Sequence, residues 1–436
     1  MKNILFLAHG NNDLDHFLPL IFKIKKYKIF LIYIPDGNSS YISKAHLSFL
    51  KKKQIQIFEI KNFLNSKILI FFLNIFFYLK NLFILNIFNF FFNFILIKIN
   101  FFLEKILINF ISSNILKKNF NNFFLKNSIK LIVTDLFDQE INDTRNIFKK
   151  SMSNFLKTAK IMNIPLFMIS HGVNIHYHQD NDKKNNSKMY LADSIALCNK
   201  YETFLYKHLV KKKKNIKYLG DIRYDVLWIK YLKNLNKGKI LSLQKNRKIK
   251  ILYIMGNLNF LKNRKIEENI NIDIFKLANN PEVELWVKIH PRANNKFNFS
   301  KLSNIKIYNS EVDVSILLES ADVVITTLSG AINSSIIQKK INILFDSWKK
   351  ELTNPWTIFD KTKCVIKVNN YKDLNKVILQ IKDLYKADNK KIENFYKLFI
   401  SGGRGFKESI IKNYLLEIEN LLKEKNVYNK KKFNFS

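Results

Sequence analysis

Three stretches of the chain set proton-transferring or anion-binding side chains where apolar runs end. MISHGVNIHYHQD (168–180) stops at His171-Gly172, and VKIHPR (287–292) stops at His290-Pro291-Arg292 with Lys288 two residues earlier. VVITTLSGAINSSII (323–337) passes through Thr326, Thr327, Ser329 and Gly330 into a helix expected to begin near Ala331, carrying Asn333 and Ser334. An imidazole titrates near neutral pH and can take a proton from an attacking hydroxyl. Lysine, arginine, hydroxyls and the free N–H groups of a helix start hold phosphate oxygens. The combination suits a site where fixed donors hold phosphate groups and His171 stands at a strand end as a candidate to take a proton from a hydroxyl.

A fourth stretch, HGNNDLDHFLPLI (9–21), carries Asp13, Asp15 and His16 at a helix start. Asp15 is the reserve base, although an aspartate there is also a common cap. His176 and His178 form a bare His-x-His pair with no further ligand at metal spacing, and no Asp-x-Asp pair ends a strand, so the sequence predicts neither a metal nor another cofactor. The 326–330 turn has no GxGxxG or P-loop pattern.

Residues at such ends need strands to carry them. Apolar runs at 3–9, 28–34, 54–60, 130–136, 165–171 and 194–199, then at 248–256, 283–290, 304–309, 322–327, 341–346 and 364–368, alternate with segments of helical period. That rhythm predicts βαβ units and parallel sheets, and 436 residues are too many for one core. The expected fold is α/β, with two Rossmann-like doubly wound domains facing across a cleft. The polar, basic, strandless stretch 233–248 puts the linker near 240, giving domains 1–240 and 241–402. SGGRGFKESI (401–410) suits the turn from which a helix, 403–425, crosses back to the first domain, and 426–436 reads as a frayed basic tail.

Residues 63–127 depart from this rhythm as a long apolar helical insertion in the first domain. Their longest uncharged run, 81–97, is 17 residues with four asparagines, short and polar for a membrane span. Asn86, Asn89, Asn93, Asn100 and Glu104 form one polar stripe opposite a broad aromatic face, flanked by Lys67, Lys80, Lys98, Lys105, Lys117 and Lys118. Packing into the domain core and lying on an anionic membrane surface both stay open.

Lys and Arg number 73 against 35 Asp and Glu, a formal +38. Saturation in Lys, Asn, Ile and Phe together is what an AT-biased genome imposes on any protein, and no RRM, KH, zinc-finger or helix-turn-helix pattern accompanies the charge, so nucleic acid is not an expected partner. Cys198 and Cys364 have neither ligand nor disulfide-framework spacing, which suits a reducing cytoplasm, with peripheral attachment to the inner face of the plasma membrane if 63–127 binds lipid. The N-terminal apolar run is too short for a signal peptide.

ISHG (169–172), the YETFLYKHL segment after LCNK, LGDIRYDVLW (219–228), VKIHPR and SADVVITTLSGAINSSIIQKKINILF (320–345) together, and in this order, resemble the GT-B glycosyltransferase superfamily. Within it they resemble the CDP-glycerol glycerophosphotransferases and the surface-carbohydrate transferases, sialyl- and Kdo-type included. The resemblance implies facing histidines, His171 and His290, and a donor site at Thr327, Ser329, Gly330 and Ser334. It also implies that Arg223 and Asp225 line the cleft. The implied activity is metal-independent, inverting transfer from a nucleotide-activated donor, CMP- or CDP-linked, to a glycan or lipid-linked acceptor in cell-surface polysaccharide or glycolipid synthesis. CDP-glycerol-type glycerophosphoryl transfer, UDP-sugar 2-epimerisation and a non-catalytic membrane-docked role remain alternatives. The group's Asp-Tyr after the threonine is here Thr327-Leu328, its second serine is Gly330, and the proline of its G-x-P-R stretch is Ile222.

Overall fold

The computed structural model describes residues 2–34, 42–59, 63, 116–135, 155–173, 176–177, 192–207, 212–243, 248–256, 265–289, 305–308, 312, 314–327, 329–351, 356–381 and 388–433. Its first eight strands are β1 (Asn3–His9), β2 (Lys28–Ile34), β3 (Gln56–Glu59), β4 (Ile129–Asp135), β5 (Leu166–Ile169), β6 (His176–Tyr177), β7 (Ser194–Leu197) and β8 (Ile216–Tyr218). The others are β9 (Ile249–Ile254), β10 (Val283–Lys288), β11 (Ile305–Tyr308), β12 (Val323–Thr326), β13 (Ile341–Phe345), β14 (Trp356–Thr357) and β15 (Ile366–Val368). Every expected apolar run contains a strand, trimmed at one or both ends in most cases. The short β6, β8 and β14 were not expected, since two or three residues carry no readable period.

Two sheets form, in the orders β3-β2-β1-β4-β5-β7-β8 and β11-β10-β9-β12-β13-β15. Each strand pair within them is parallel. Residues 4–8 of β1 and all of β5, β7, β10 and β12 are buried, which is why these runs read as continuous apolar stretches rather than alternating ones. The chain reverses its direction of sheet growth between β1 and β4, and again between β9 and β12. A crevice opens at the carboxyl ends of such paired strands.

The two halves are joined in several ways. One apolar cluster runs from Leu14, Phe17, Ile222 and Trp228 to Ile332, Ile336, Leu344 and Phe359. An antiparallel ribbon pairs β6 of the first half with β14 of the second. Lys233, on the helix Val226–Leu243, pairs with Glu319 of the second half at 2.6 Å.

Two expectations are corrected. Most of the stretch read as a linker is the second part of the helix Val226–Leu243, whose start is fixed by Asp225 accepting from the Leu227 N–H at 2.8 Å and by Trp228 packed on Phe22, Phe49 and Tyr231. At the other end, the helix Ile410–Phe433 continues through most of the supposed tail, because nothing between those residues stops it: the sequence there is free of Gly and Pro and rich in Lys, Glu and Leu.

The return to the first sheet is under way before residue 403. Asp221 N donates to Ile400 O at 2.6 Å, and Asn199 Nδ2 donates to Phe399 O at 3.2 Å. Gly402 has φ +67, and a Cβ there would lie 2.4 Å from Tyr218 O, so only glycine lets the two segments touch. Downstream, Tyr414 donates to Gly220 O at 2.8 Å and Ser194 to Glu417 at 2.7 Å, laying the last helix along the first sheet. Of the apolar insertion, Phe63 and Leu116–Lys126 are described and residues 64–115 lie outside the described residues; among the described residues no helix is long and apolar enough to cross a membrane.

Candidate functional site

At the reversal in the first sheet three strand ends converge. β1 ends at Gly10, whose φ of 98° turns the chain into helix α1 (Asn11–Lys23) and puts Asp13 in its first turn. β4 ends on Asp135, and β5 is followed by Ser170 and His171. Asp13 and Asp135 are 2% and 6% exposed, whereas the His171 side chain is 49% exposed. His171 Nδ1 lies 2.7 Å from Asp135 Oδ2 and 3.5 Å from Asp13 Oδ1. A carboxylate on Nδ1 keeps the proton on that nitrogen, so in the neutral ring Nε2 is the acceptor.

Burial lowers the basicity of His171, but the hydrogen bond and charge of Asp135 outweigh it, so its pKa stands above the ordinary 6.5 despite the opposing Arg223 cation. The His16 ring lies beside it at a tilt of 36°, with ring centroids 5.5 Å apart. Burial, seconded by Arg223, drives His16 well below 6.5, so it stays neutral.

Ligand atoms of Asp13, Asp135 and His171 lie within 4.8 Å of one another, so among the described residues these three could hold a divalent ion. Asp15, the reserve base of the sequence reading, points elsewhere: its Oδ1 lies 2.8 Å from His46 Nε2 on helix α2 (Lys44–Lys52). Its charge still raises His171.

Beneath the His171 loop sits an ion pair. Arg223 donates to Asp221 through Nε at 3.1 Å and Nη2 at 2.7 Å, a two-pronged grip. Asp221 is buried and also accepts from Val173 N at 3.3 Å. Burial alone would raise the Asp221 carboxyl, but Arg223 more than reverses it. Gly172 has φ +91, and a Cβ on it would sit 2.2 Å from Arg223 Nη2. The His-Gly pair therefore has a steric cause: glycine opens the space that the guanidinium fills.

On the second sheet, Lys288 is buried at the end of β10. His290 and Arg292, together with Leu328, lie outside the described residues. Thr326 is committed to the sheet, its hydroxyl donating to Ile254 O at 3.2 Å. Thr327 Oγ1 and both polar atoms of the Asn333 side chain are buried with no hydrogen-bond partner among the described residues. Ser329 Oγ accepts from Ala331 N at 3.4 Å as the helix Ala331–Ile337 begins. Gly330 has φ −58, and among the described residues nothing lies within 4 Å of the Cβ it lacks, so the departure from serine here meets no described neighbour.

The two clusters meet through Tyr224. Its hydroxyl donates to Gly330 O at 3.3 Å, while the Arg223 guanidinium lies over its ring at 5.4 Å. Asp225, expected in the cleft, is fully buried and structural: it accepts from Ser409 Oγ at 2.8 Å and from Ile411 N at 3.0 Å, anchoring the last helix. The sequence reading missed Asp135, Asp221 and Tyr224 as site residues. Asp135 was signalled by an aspartate closing the apolar run KLIVTD; the other two had no signal beyond lying in GDIRYD.

No family model matches the sequence, and no curated protein matches it. Solved structures do. The UDP-GlcNAc 2-epimerase from Neisseria meningitidis bound to UDP-GlcNAc is 10% identical with a TM-score of 0.57, over 96% of this chain and 100% of that one. S. aureus MnaA, in a co-structure with UDP, is 13% identical with a TM-score of 0.55, over 97% of each chain. The wall teichoic acid polymerase TagF, in a structure with CDPG, is 14% identical with a TM-score of 0.59, over 97% of this chain and 90% of that one. At these identities the likeness concerns the fold, and the chain shares with these enzymes the two-sheet GT-B architecture.

Proposed function

We propose that the chain is a metal-independent, inverting transferase that moves a glycosyl group from a CMP- or CDP-activated donor to a hydroxyl of a glycan or lipid-linked acceptor. His171 Nε2 takes the acceptor's proton, the acceptor oxygen attacks the anomeric carbon, and the bond from that carbon to the donor phosphate breaks with its electron pair going to the phosphate. Lys288, Thr327, Ser329, Asn333 and Ser334, together with His290 and Arg292, receive that charge. The supporting observation is the continuous contact from Gly172 through Arg223 and Tyr224 to Gly330, which ties the base-bearing loop of one sheet to the serine turn of the other.

A second reading has its own support. A 2-epimerase needs carboxylates where a sugar proton is removed, and Asp13 and Asp135 stand at His171. One assay separates the two: purified protein is given CMP-, CDP- and UDP-activated donors with and without an acceptor hydroxyl. Nucleotide release that depends on the acceptor and is lost in His171→Ala supports transfer. Interconversion of a UDP-N-acetylhexosamine with no acceptor present replaces transfer with epimerisation.

A further inference from the structure

Tyr224 belongs to neither cluster by sequence, yet it touches both. Its hydroxyl reaches the backbone of Gly330 and its ring lies under Arg223. Arg223 fills the gap left by Gly172, and the Asp221 that grips it also accepts from Val173 N at 3.3 Å. Three residues, Asp221, Arg223 and Tyr224, thus connect the donor turn of one lobe to the loop carrying His171, through the hydrogen bonds of Tyr224 to Gly330 and of Asp221 to Arg223 and Val173 and through the close fit of Arg223 against Gly172. Tyr224 is 5% exposed, so the residue as a whole is withdrawn from water. A buried hydroxyl left without its acceptor is costly, which favours the arrangement in which the lobes are in register.

We propose that Tyr224, acting with Arg223, is a positioning element that transmits the placement of the 329–330 turn to the His171 loop, so that a nucleotide held by the second lobe orders the base in the first. The inference rests on the reading of 327–334 as a nucleotide-donor site. It requires no change at the base itself: Tyr224 touches no reacting atom. Tyr224→Phe removes only the hydroxyl and leaves the ring under Arg223 in place.

The test uses the full chain with CDP and, separately, UDP as probes, following amide hydrogen exchange by mass spectrometry. In the native protein a bound nucleotide slows exchange both at 329–337 and at 168–173. In Tyr224→Phe, slowing at 329–337 persists, whereas slowing at 168–173 falls by about fivefold, the factor carried by one hydrogen bond. Donor turnover shows the matching split: kcat falls by about the same factor and the donor KM stays within about twofold. Arg223→Lys, which keeps the charge but loses the fork on Asp221, gives the second readout. Its cation is no longer held by Asp221 under the loop, so slowing at 168–173 falls as it does in Tyr224→Phe while slowing at 329–337 persists, a split that mere loosening of the fold does not produce. Equal slowing at 168–173 in the native protein and in Tyr224→Phe overturns the coupling while leaving the donor site standing. If neither nucleotide slows exchange at 329–337 in the native protein, the donor-site reading itself is overturned, and the coupling goes with it.

Discussion

His171 Nδ1 stands 2.7 Å from the carboxylate of Asp135, at the point where the first sheet reverses its order. Burial works against the imidazolium here and Asp135 more than compensates, leaving the pKa above 6.5. If His171 is the base, rate rises with pH along a limb set by that elevated value. Asp135→Asn removes the charge that raises it and weakens the grip on Nδ1, so the limb moves to lower pH and the plateau drops on the order of 10²-fold. A limb unmoved by the substitution excludes this histidine as the titrating group. Stability carries the same sign. A raised folded-state pKa means that the stabilising contribution is whole below 6.5 and lost as pH climbs through the folded value. The melting-temperature gap between the native chain and His171→Ala should therefore be wider at about pH 5.5 than at about pH 8.

The trio of Asp13, Asp135 and His171 makes metal dependence a sharp question, because three ligand atoms within 4.8 Å would suffice for a divalent ion. With Asp135 hydrogen-bonded to Nδ1 and the pKa of His171 raised, proton binding competes with metal binding on the same ring. Turnover measured after dialysis against EDTA is expected to match that of the untreated protein. Loss of activity restored by Mg²⁺, Mn²⁺ or Zn²⁺ would turn the trio into a metal centre and remove His171 as the base.

Gly172 and Gly330 both stand beside a candidate site residue, but the structure treats them differently. Alanine at 172 must hold φ +91 and displace Arg223 Nη2 from 2.2 Å, so Gly172→Ala should cost about 1–3 kcal/mol from the backbone alone and more from the disturbed ion pair. At Gly330 the backbone is ordinary and the space is open, so Gly330→Ser should change stability by less than about 0.5 kcal/mol. Denaturant melts of both variants check the contrast, and equal costs would mean that the packing of Arg223 beneath the loop is misplaced.

Much of the framework was legible in the chain because buried parallel strands write themselves as continuous apolar runs; β1, β4, β9 and β12 could be marked from the sequence, and with them the edges where a site belongs. His171 and Ser329 were found because they stand just beyond such runs. Asp221 and Tyr224 were not, since their role depends on contacts with Val173 and Gly330, 48 and 106 residues away. Asp15 and Asp13 illustrate a finer limit. Two positions apart on one helix they point to different sides, and only the start at Gly10 decides which of them faces His171. The helix through Leu243 was hidden by lysines and asparagines whose period is set by long-range packing of Trp228 rather than by an apolar stripe.

The apolar stretch 64–115 leaves and rejoins the fold at one place. β3 runs parallel to β2 and ends at Glu59, on the carboxyl edge that also carries Asp135 and His171. Asn119 Nδ2 then donates to Phe63 O at 2.6 Å, and the rings of Phe63 and Phe120 lie 5.2 Å apart, closing the two ends on each other. A segment whose ends are already pinned behaves as an insertion, so replacing 64–115 with a short Gly/Ser linker should leave melting within a few degrees of the native chain, since loop closure depends only weakly on length. Core packing by this segment predicts the opposite, a collapse of the melting temperature. If instead its aromatic face and lysines meet lipid, the native chain floats with anionic liposomes and the shortened one does not. Because the segment departs from the edge that carries His171, binding of that kind brings the cleft to the bilayer surface. The shortened chain should then retain turnover of a soluble acceptor while losing that of one embedded in vesicles.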